Sequence, residues 1–100
     1  ERELQARADV FSLDALAWSL ASAGRTAEAQ ATMTRALADG TEDGRLFLHA
    51  GVIAAAGDRR AEARKWLRKA EALRSTLLPS ELDELTKHLT RLSTQEKSQS

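Results

Sequence analysis

Apolar residues recur at intervals of three and four along most of this 100-residue chain, with polar residues between them. That spacing places the apolar side chains on one face of an α-helix. Glycines follow three of the apolar runs, at Gly24, Gly40 and Gly57, and glycine suits the left-handed conformation in which many helices end. The pattern therefore predicts an all-α fold of two antiparallel helical hairpins, with a further helix after Pro79.

The same signals divide the chain into five segments. Residues 1–8 are interpreted as the tail of an upstream helix or a linker, residues 9–40 as the first hairpin, and residues 41–75 as the second. Residues 79–93 are predicted to form a capping helix. Residues 94–100 are predicted to be a frayed polar tail, because nothing apolar in them can pack on a core.

Short polar residues precede each predicted helix, where they can accept hydrogen bonds from free backbone amides. The expected capping residues are Asp9 or Ser12, then Thr26, one of Thr41, Glu42 or Asp43, then Asp58, and Ser80.

Two stretches of the chain have a similar pattern of alanines and larger apolar residues: AEAQATMTRALA from Ala27 and AEARKWLRKAEA from Ala61. We call the interval from Ala27 to Ala61 the repeat length. Together with the glycine turns, they resemble the tetratricopeptide repeat, a helical hairpin of about 34 residues with the pattern W-x2-L-G-x2-Y, A-x3-F and A-x4-P. The matching positions are Leu13, Leu16, Ala17, Leu20, Ala29, Met33 and Ala36 in the first unit, and Leu46, His49, Ala50, Ile53, Ala63, Leu67 and Ala70 in the second. The match lacks the aromatic residues of the first helix, and Thr41 replaces the proline.

This resemblance implies a right-handed α-solenoid of two repeats plus a cap, as a fragment of a longer protein. It also implies a scaffold or adaptor module that binds a peptide or helix of another protein in a concave groove. Carried over by position, the groove residues are Phe11, Asp14, Trp18, Ser22, Phe47, Gly51 and Ala54. Trp18 and Phe47 are the expected half-exposed anchors, unless they pack against a neighbouring segment. The family's lysine–asparagine clamp on a carboxylate is not expected, because Asp14 and Phe47 stand in its place.

Composition removes several other classes of protein. The formal net charge is zero, so the overall charge of the chain favours neither an acidic nor a basic partner. Cysteine is absent, so the chain has no disulfide framework. No glycine-rich phosphate loop and no Gly-x-Ser-x-Gly turn is present, and His49 and His88 lie on separate helices without a second ligand. We therefore expect no catalysis, no cofactor and no metal, with His49 packed and hydrogen-bonded and His88 solvated or capping.

Three alternatives to a groove-binding module stay open. The leucines of the last helix (Leu78, Leu82, Leu85, Leu89 and Leu92) could pair with a second copy to form a homodimer. The chain could also be a structural spacer within a larger protein. Nucleic-acid binding by the basic fourth helix is the least favoured, because charged outer faces are common and the net charge is zero. On that helix, Trp66 is expected to cover the seam to the last helix, against Leu78 or Leu82.

Overall fold

A computed structural model describes residues 2–38 and 40–99, with the side chains of residues 10–38 and 40–94. Within these residues the chain is helical, without a strand, and the predicted all-α class is confirmed. The α-helices are α1 (Arg2–Ser22), α2 (Thr26–Leu37), α3 (Gly44–Ala56), α4 (Arg60–Ala72) and α5 (Pro79–Gln99), and a 3-10 turn covers Arg74–Thr76.

Helix α3 is the centre of the fold. α1 pairs with α2 and α3 pairs with α4, while α3 also packs on both helices of the first hairpin and on α5. One face of α3, with Leu46 and Ile53, joins the buried residues of the first hairpin. Another face, with Phe47 and Leu48, joins those of α4 and α5. A helix in contact on both sides must be apolar around most of its circumference, as this one is.

The turns inside the two hairpins have the same backbone geometry, at a spacing of one repeat length. Gly24 and Asp58 both have positive φ, +82° and +62°, and Asp58 is the only described residue other than glycine that does. The amide N–H groups of the next residues, Arg25 and Arg59, each donate over 2.9 Å to a carbonyl five residues earlier. Asp58, rather than Gly57, is therefore the counterpart of Gly24.

This correspondence corrects the alignment expected for α3 by one residue. Helix α1 ends at Ser22 and α3 ends at Ala56, and this spacing is again one repeat length. The counterpart of Ala17 is then the buried Gly51 rather than Ala50, and Phe47 replaces Leu46 as the counterpart of Leu13. An alanine-rich helix fits several registers almost equally well, so the sequence pattern alone did not fix this one.

Among the expected side-chain caps, the one that forms is Asp43. It accepts a hydrogen bond from the Leu46 N–H over 3.0 Å at the start of α3. α2 begins at Thr26 itself, and α4 begins two residues after Asp58, neither with a side-chain cap. The prediction that Thr26 and Asp58 cap these helices was therefore wrong, because the tight turns place Arg25 and Arg59 at the capping positions.

The first and last helices are both longer than predicted. α1 runs without interruption past Asp9 and Ser12, since polar residues of this kind can point outward from a helix. The boundary at residue 8 is therefore not a helix boundary. α5 continues to Gln99, so the described part of the 94–100 segment is helical. Residues 1, 39 and 100 lie outside the described residues.

The start of α5 follows a different rule from the one expected for Ser80. Pro79 is the first helical residue, where its missing N–H removes no hydrogen bond. Glu81 then reaches back and accepts from the Leu78 N–H over 2.8 Å, as a glutamate in the third helical position can.

Candidate functional site

The residues expected to line a concave groove do not share one open surface. Phe11 and Ser22 are exposed, and Trp18 is half-buried on α1. Phe47 is only 5% exposed, and with Gly51 it belongs to the α3 face that packs on α4. The expectation of a half-exposed Phe47 was therefore wrong, because α4 covers this face. The other two, Asp14 and Ala54, are buried.

A polar contact joins the first hairpin to α3. Asp14, only 7% exposed, lies 2.8 Å from Nδ1 of His49 through its Oδ1. The Trp18 ring stacks on the imidazole with centroids 4.2 Å apart. The predicted packing and hydrogen bonding of His49 are confirmed. Asp14 and Trp18 are thus engaged inside the molecule, in the seam between α1 and α3.

A second aromatic contact fixes Trp66 on α4. Its ring stacks on Phe47 with centroids 5.5 Å apart, and its Nε1–H donates to Glu62 over 3.3 Å. The ammonium groups of Lys65 and Lys69 lie 4.7 and 5.2 Å from the ring centroid. Trp66 was expected to face Leu78 or Leu82. The structure instead turns it toward Phe47 and the side of α4 that looks toward α2.

Trp66 forms part of one wall of a cleft of about 320 Å³, which we call the interhelical cleft. α2 and α4 are its walls and α3 is its floor. The lining residues are Gln30, Met33, Thr34, Leu37 and Ala38 on or beside α2, Ala50, Ile53 and Ala54 on α3, and Arg59, Glu62 and Trp66 on or beside α4. The sequence reasoning missed this site. The signal available was a tryptophan in the middle of an otherwise charged helix.

A smaller cavity of about 220 Å³, the α5 cavity, lies where α3, α4 and α5 meet. Its lining residues are Val52, Ala55, Ala56, Asp58, Arg60, His88, Arg91 and Leu92. His88 was expected to be solvated or capping. Its side chain is only 12% exposed, because the helix that carries it packs on the rest of the fold, and Nε2 lies 3.4 Å from Glu84.

An ion pair fastens the beginning of α5 to α3. Arg45 Nε donates to Glu81 over 2.5 Å, and the Glu81 side chain is 16% exposed. Burial alone would raise the pKa of Glu81. The Leu78 N–H, the Arg45 guanidinium and nearby His49 act in the opposite direction and lower the pKa below its ordinary value.

Two further observations concern other kinds of site. In the described part of the chain, no group of three or more histidine or carboxylate side chains is arranged to hold a metal ion. Among the same residues, no helix combines the length and the apolar character that a membrane span requires.

Comparisons with protein-family models, with curated proteins and with solved structures found no match for this chain.

Proposed function

We propose that this chain is a protein-interaction module of the tetratricopeptide type, which binds a peptide segment of another protein in the interhelical cleft. The repeat interpretation is supported by the turn geometry that recurs after one repeat length, at Gly24 and Asp58. In the corrected register, Phe47 and Gly51 also occupy the tryptophan and glycine places of the repeat pattern.

The observation that carries the binding proposal is the half-buried Trp66 in the wall of the cleft. Tryptophan is enriched among the residues that dominate binding energy at protein interfaces. The stacking on Phe47 and the hydrogen bond to Glu62 already hold the ring in place. A partner therefore loses little free energy in ordering this side chain when it binds.

The lining of the cleft indicates what kind of segment fits. Leu37 and Trp66 offer a half-buried apolar surface above the buried Met33 and Ile53, while Gln30 and Thr34 supply polar groups on the α2 side. A volume of about 320 Å³ is at the lower end of the range for ligand sites. The proposed occupant is a short peptide that inserts one large or two small apolar side chains and hydrogen-bonds at the rim through its backbone.

Self-association through the last helix receives less support. Leu85 and Leu92 are buried against α3 and α4 of the same chain, and Leu78, at 54% exposure, is the exposed member of that set. A homodimer formed through this strip would have to displace α5 from its own hairpin.

The other two alternatives stay predictions. Nucleic-acid binding by α4 requires retention on heparin that weakens steeply with salt. A spacer role requires that no ligand bind the cleft, which the next experiment measures.

The test is a selection of short random peptides by phage display against the whole chain, followed by fluorescence anisotropy of the enriched peptides. Thr34→Arg places a long side chain in the cleft, and we expect it to weaken binding by roughly tenfold or more. Ala31→Arg is the matched control, since Ala31 is exposed on α2 outside the cleft lining. Equal binding by both variants would exclude the cleft, and a selection without enriched peptides would contradict the interaction function.

A further inference from the structure

The α5 cavity brings two arginines together from separate parts of the chain. Arg60 begins α4, and Arg91 lies on α5. Both line the cavity, and neither makes an ion pair with another described residue. Two arginine side chains in the lining of one cavity give it a positive charge, which attracts an anion.

The acidic group in the cavity lining does not balance this charge. Asp58 is the acid among these residues. It is exposed in the turn before α4, as Arg91 is on α5, whereas Arg60 is half-buried. Glu84 lies beside His88 rather than in the lining, at 3.4 Å from its Nε2. With two guanidinium groups against one carboxylate, the cavity favours an anionic ligand.

The rest of the lining is apolar. Val52, Ala55 and Ala56 contribute methyl groups from α3, and the buried Leu92 contributes its side chain from α5. Because a water molecule takes up about 30 Å³, a space of about 220 Å³ suits a ligand of roughly seven heavy atoms. A bare inorganic ion would leave this apolar surface uncovered.

We infer that the α5 cavity binds a small organic carboxylate with an aliphatic body. The planar guanidinium groups of Arg60 and Arg91 match the two oxygens of a carboxylate, which arginine binds in a bidentate geometry. The aliphatic body lies on Val52 and Leu92. This site is separate from the interhelical cleft and does not depend on the function proposed for it.

Binding at this position also bridges α5 to the second hairpin. A ligand that binds only the folded chain stabilises it in proportion to the logarithm of its concentration above Kd. We therefore expect a carboxylate ligand to raise the unfolding temperature in addition to binding the cavity.

The experiment is a titration of the full ¹⁵N-labelled chain with 4-methylpentanoate, read from amide chemical shifts. We expect saturable shifts centred on Val52, Ala55 and Leu92. The isosteric 4-methylpentanamide should bind roughly tenfold more weakly, because it lacks the charge that the arginines recognise. Inorganic phosphate, as the bare-anion probe, should not reproduce the shifts at Val52 and Leu92.

Variants of the lining separate the charge from the fold. Arg60→Gln and Arg91→Gln should each weaken binding roughly tenfold. Arg91→Lys should bind more tightly than Arg91→Gln but less tightly than the wild type, because lysine keeps the charge and lacks the bidentate geometry of the guanidinium. Asp58→Asn should tighten binding, since it removes the opposing charge and asparagine tolerates positive φ. Arg68→Gln is the matched control, because Arg68 is exposed on α4 outside the cavity.

Several results would overturn the inference. They are shifts that never saturate, equal affinity for the acid and the amide, or unchanged affinity in both arginine-to-glutamine variants. Phosphate binding with the same shifts and affinity would identify a bare-anion site and overturn the organic ligand class. Far-UV circular dichroism confirms that each variant is folded before its affinity is compared.

Discussion

The two hairpins share a backbone plan but differ in how each meets the next element. Asp14 and Leu48 are both buried, and they occupy the same position of their respective helices, one repeat length apart. Asp14 contacts His49 on α3, whereas Leu48 packs in the cluster that contains Leu85 and Leu92 of α5. At this position the seam between α1 and α3 has a directional polar contact, whereas the contact between α3 and α5 is apolar and non-directional. The repeated backbone therefore does not require a repeated kind of interface.

The hairpins also differ in how closely their helices approach. Ala17 is fully buried in α1, and its counterpart in α3 is Gly51. A Cβ atom on Gly51 would lie 2.5 Å from Cγ of Leu67, well inside a normal contact distance. The α3–α4 pair is therefore tight enough at this point to exclude even a methyl group.

Alanine substitutions at Leu48 and Asp14 should give the largest difference in the free energy of unfolding between the two hairpins. Leu48→Ala removes a buried leucine, and we expect a loss of about 2–5 kcal/mol in the free energy of unfolding. Asp14→Ala leaves His49 without its partner, and we expect a smaller loss of about 1–3 kcal/mol. Urea denaturation followed by circular dichroism measures both.

A larger loss of stability in Asp14→Ala than in Leu48→Ala would show that the polar contact contributes more than the apolar one. A double-mutant cycle of Asp14→Ala with His49→Ala then isolates the pair, and a coupling energy near zero would mean that the 2.8 Å contact contributes nothing to stability.

Exchange of the helix-contact residues should have the next largest effect. Gly51→Ala forces Leu67 to move, and the overpacking should outweigh the better helix propensity of alanine, for a net loss of about 1–2 kcal/mol. Ala17→Gly creates no clash and should lose about 1–2 kcal/mol, through lower helix propensity and the loss of a buried methyl group. Thermal denaturation of both variants checks the prediction, and a stabilised Gly51→Ala would contradict the close approach of α3 and α4.

Exchange of the turn residues should give a smaller effect of opposite sign in the two hairpins. Gly24 has φ +82° and Asp58 has φ +62°, a region that glycine occupies without strain. We expect Asp58→Gly to stabilise the chain by about 0.5–1 kcal/mol and Gly24→Asp to destabilise it by about 1 kcal/mol. Unfolding temperatures measure both changes. If both variants were destabilised, the two turns would not be equivalent.

The comparison also explains which features the sequence could predict. Ala63, Leu67 and Ala70 are buried as their three- and four-residue spacing indicated, because the period of a helix is a local property. The burial of Phe47 depends on Trp66 of the next helix, which no local pattern reveals. The interhelical cleft could not be predicted for the same reason, because its two walls belong to different hairpins.

Register was the other property that local patterns left open. A shift of one residue along α3 exchanges Phe47 for Leu46 and Gly51 for Ala50, and all four are compatible with a buried helix face. The decisive evidence was the left-handed Asp58, since a positive φ at a residue other than glycine is rarely predicted from sequence.

The smallest expected effect concerns the polar anchor of α5, which the first hairpin lacks. Glu81 is bound by Arg45 and by the Leu78 N–H, and these contacts lower its pKa despite partial burial. A carboxyl whose pKa is lower in the folded chain stabilises it above the ordinary glutamate range. That contribution is lost as the pH falls through the folded pKa. Because Arg45 is largely exposed, we expect the contribution to be at most about 1 kcal/mol. Urea denaturation at pH 7 and pH 3 should therefore show a smaller loss of stability in Glu81→Gln than in the wild type. An identical pH dependence in both proteins would mean that Glu81 does not hold α5 on the second hairpin through its charge.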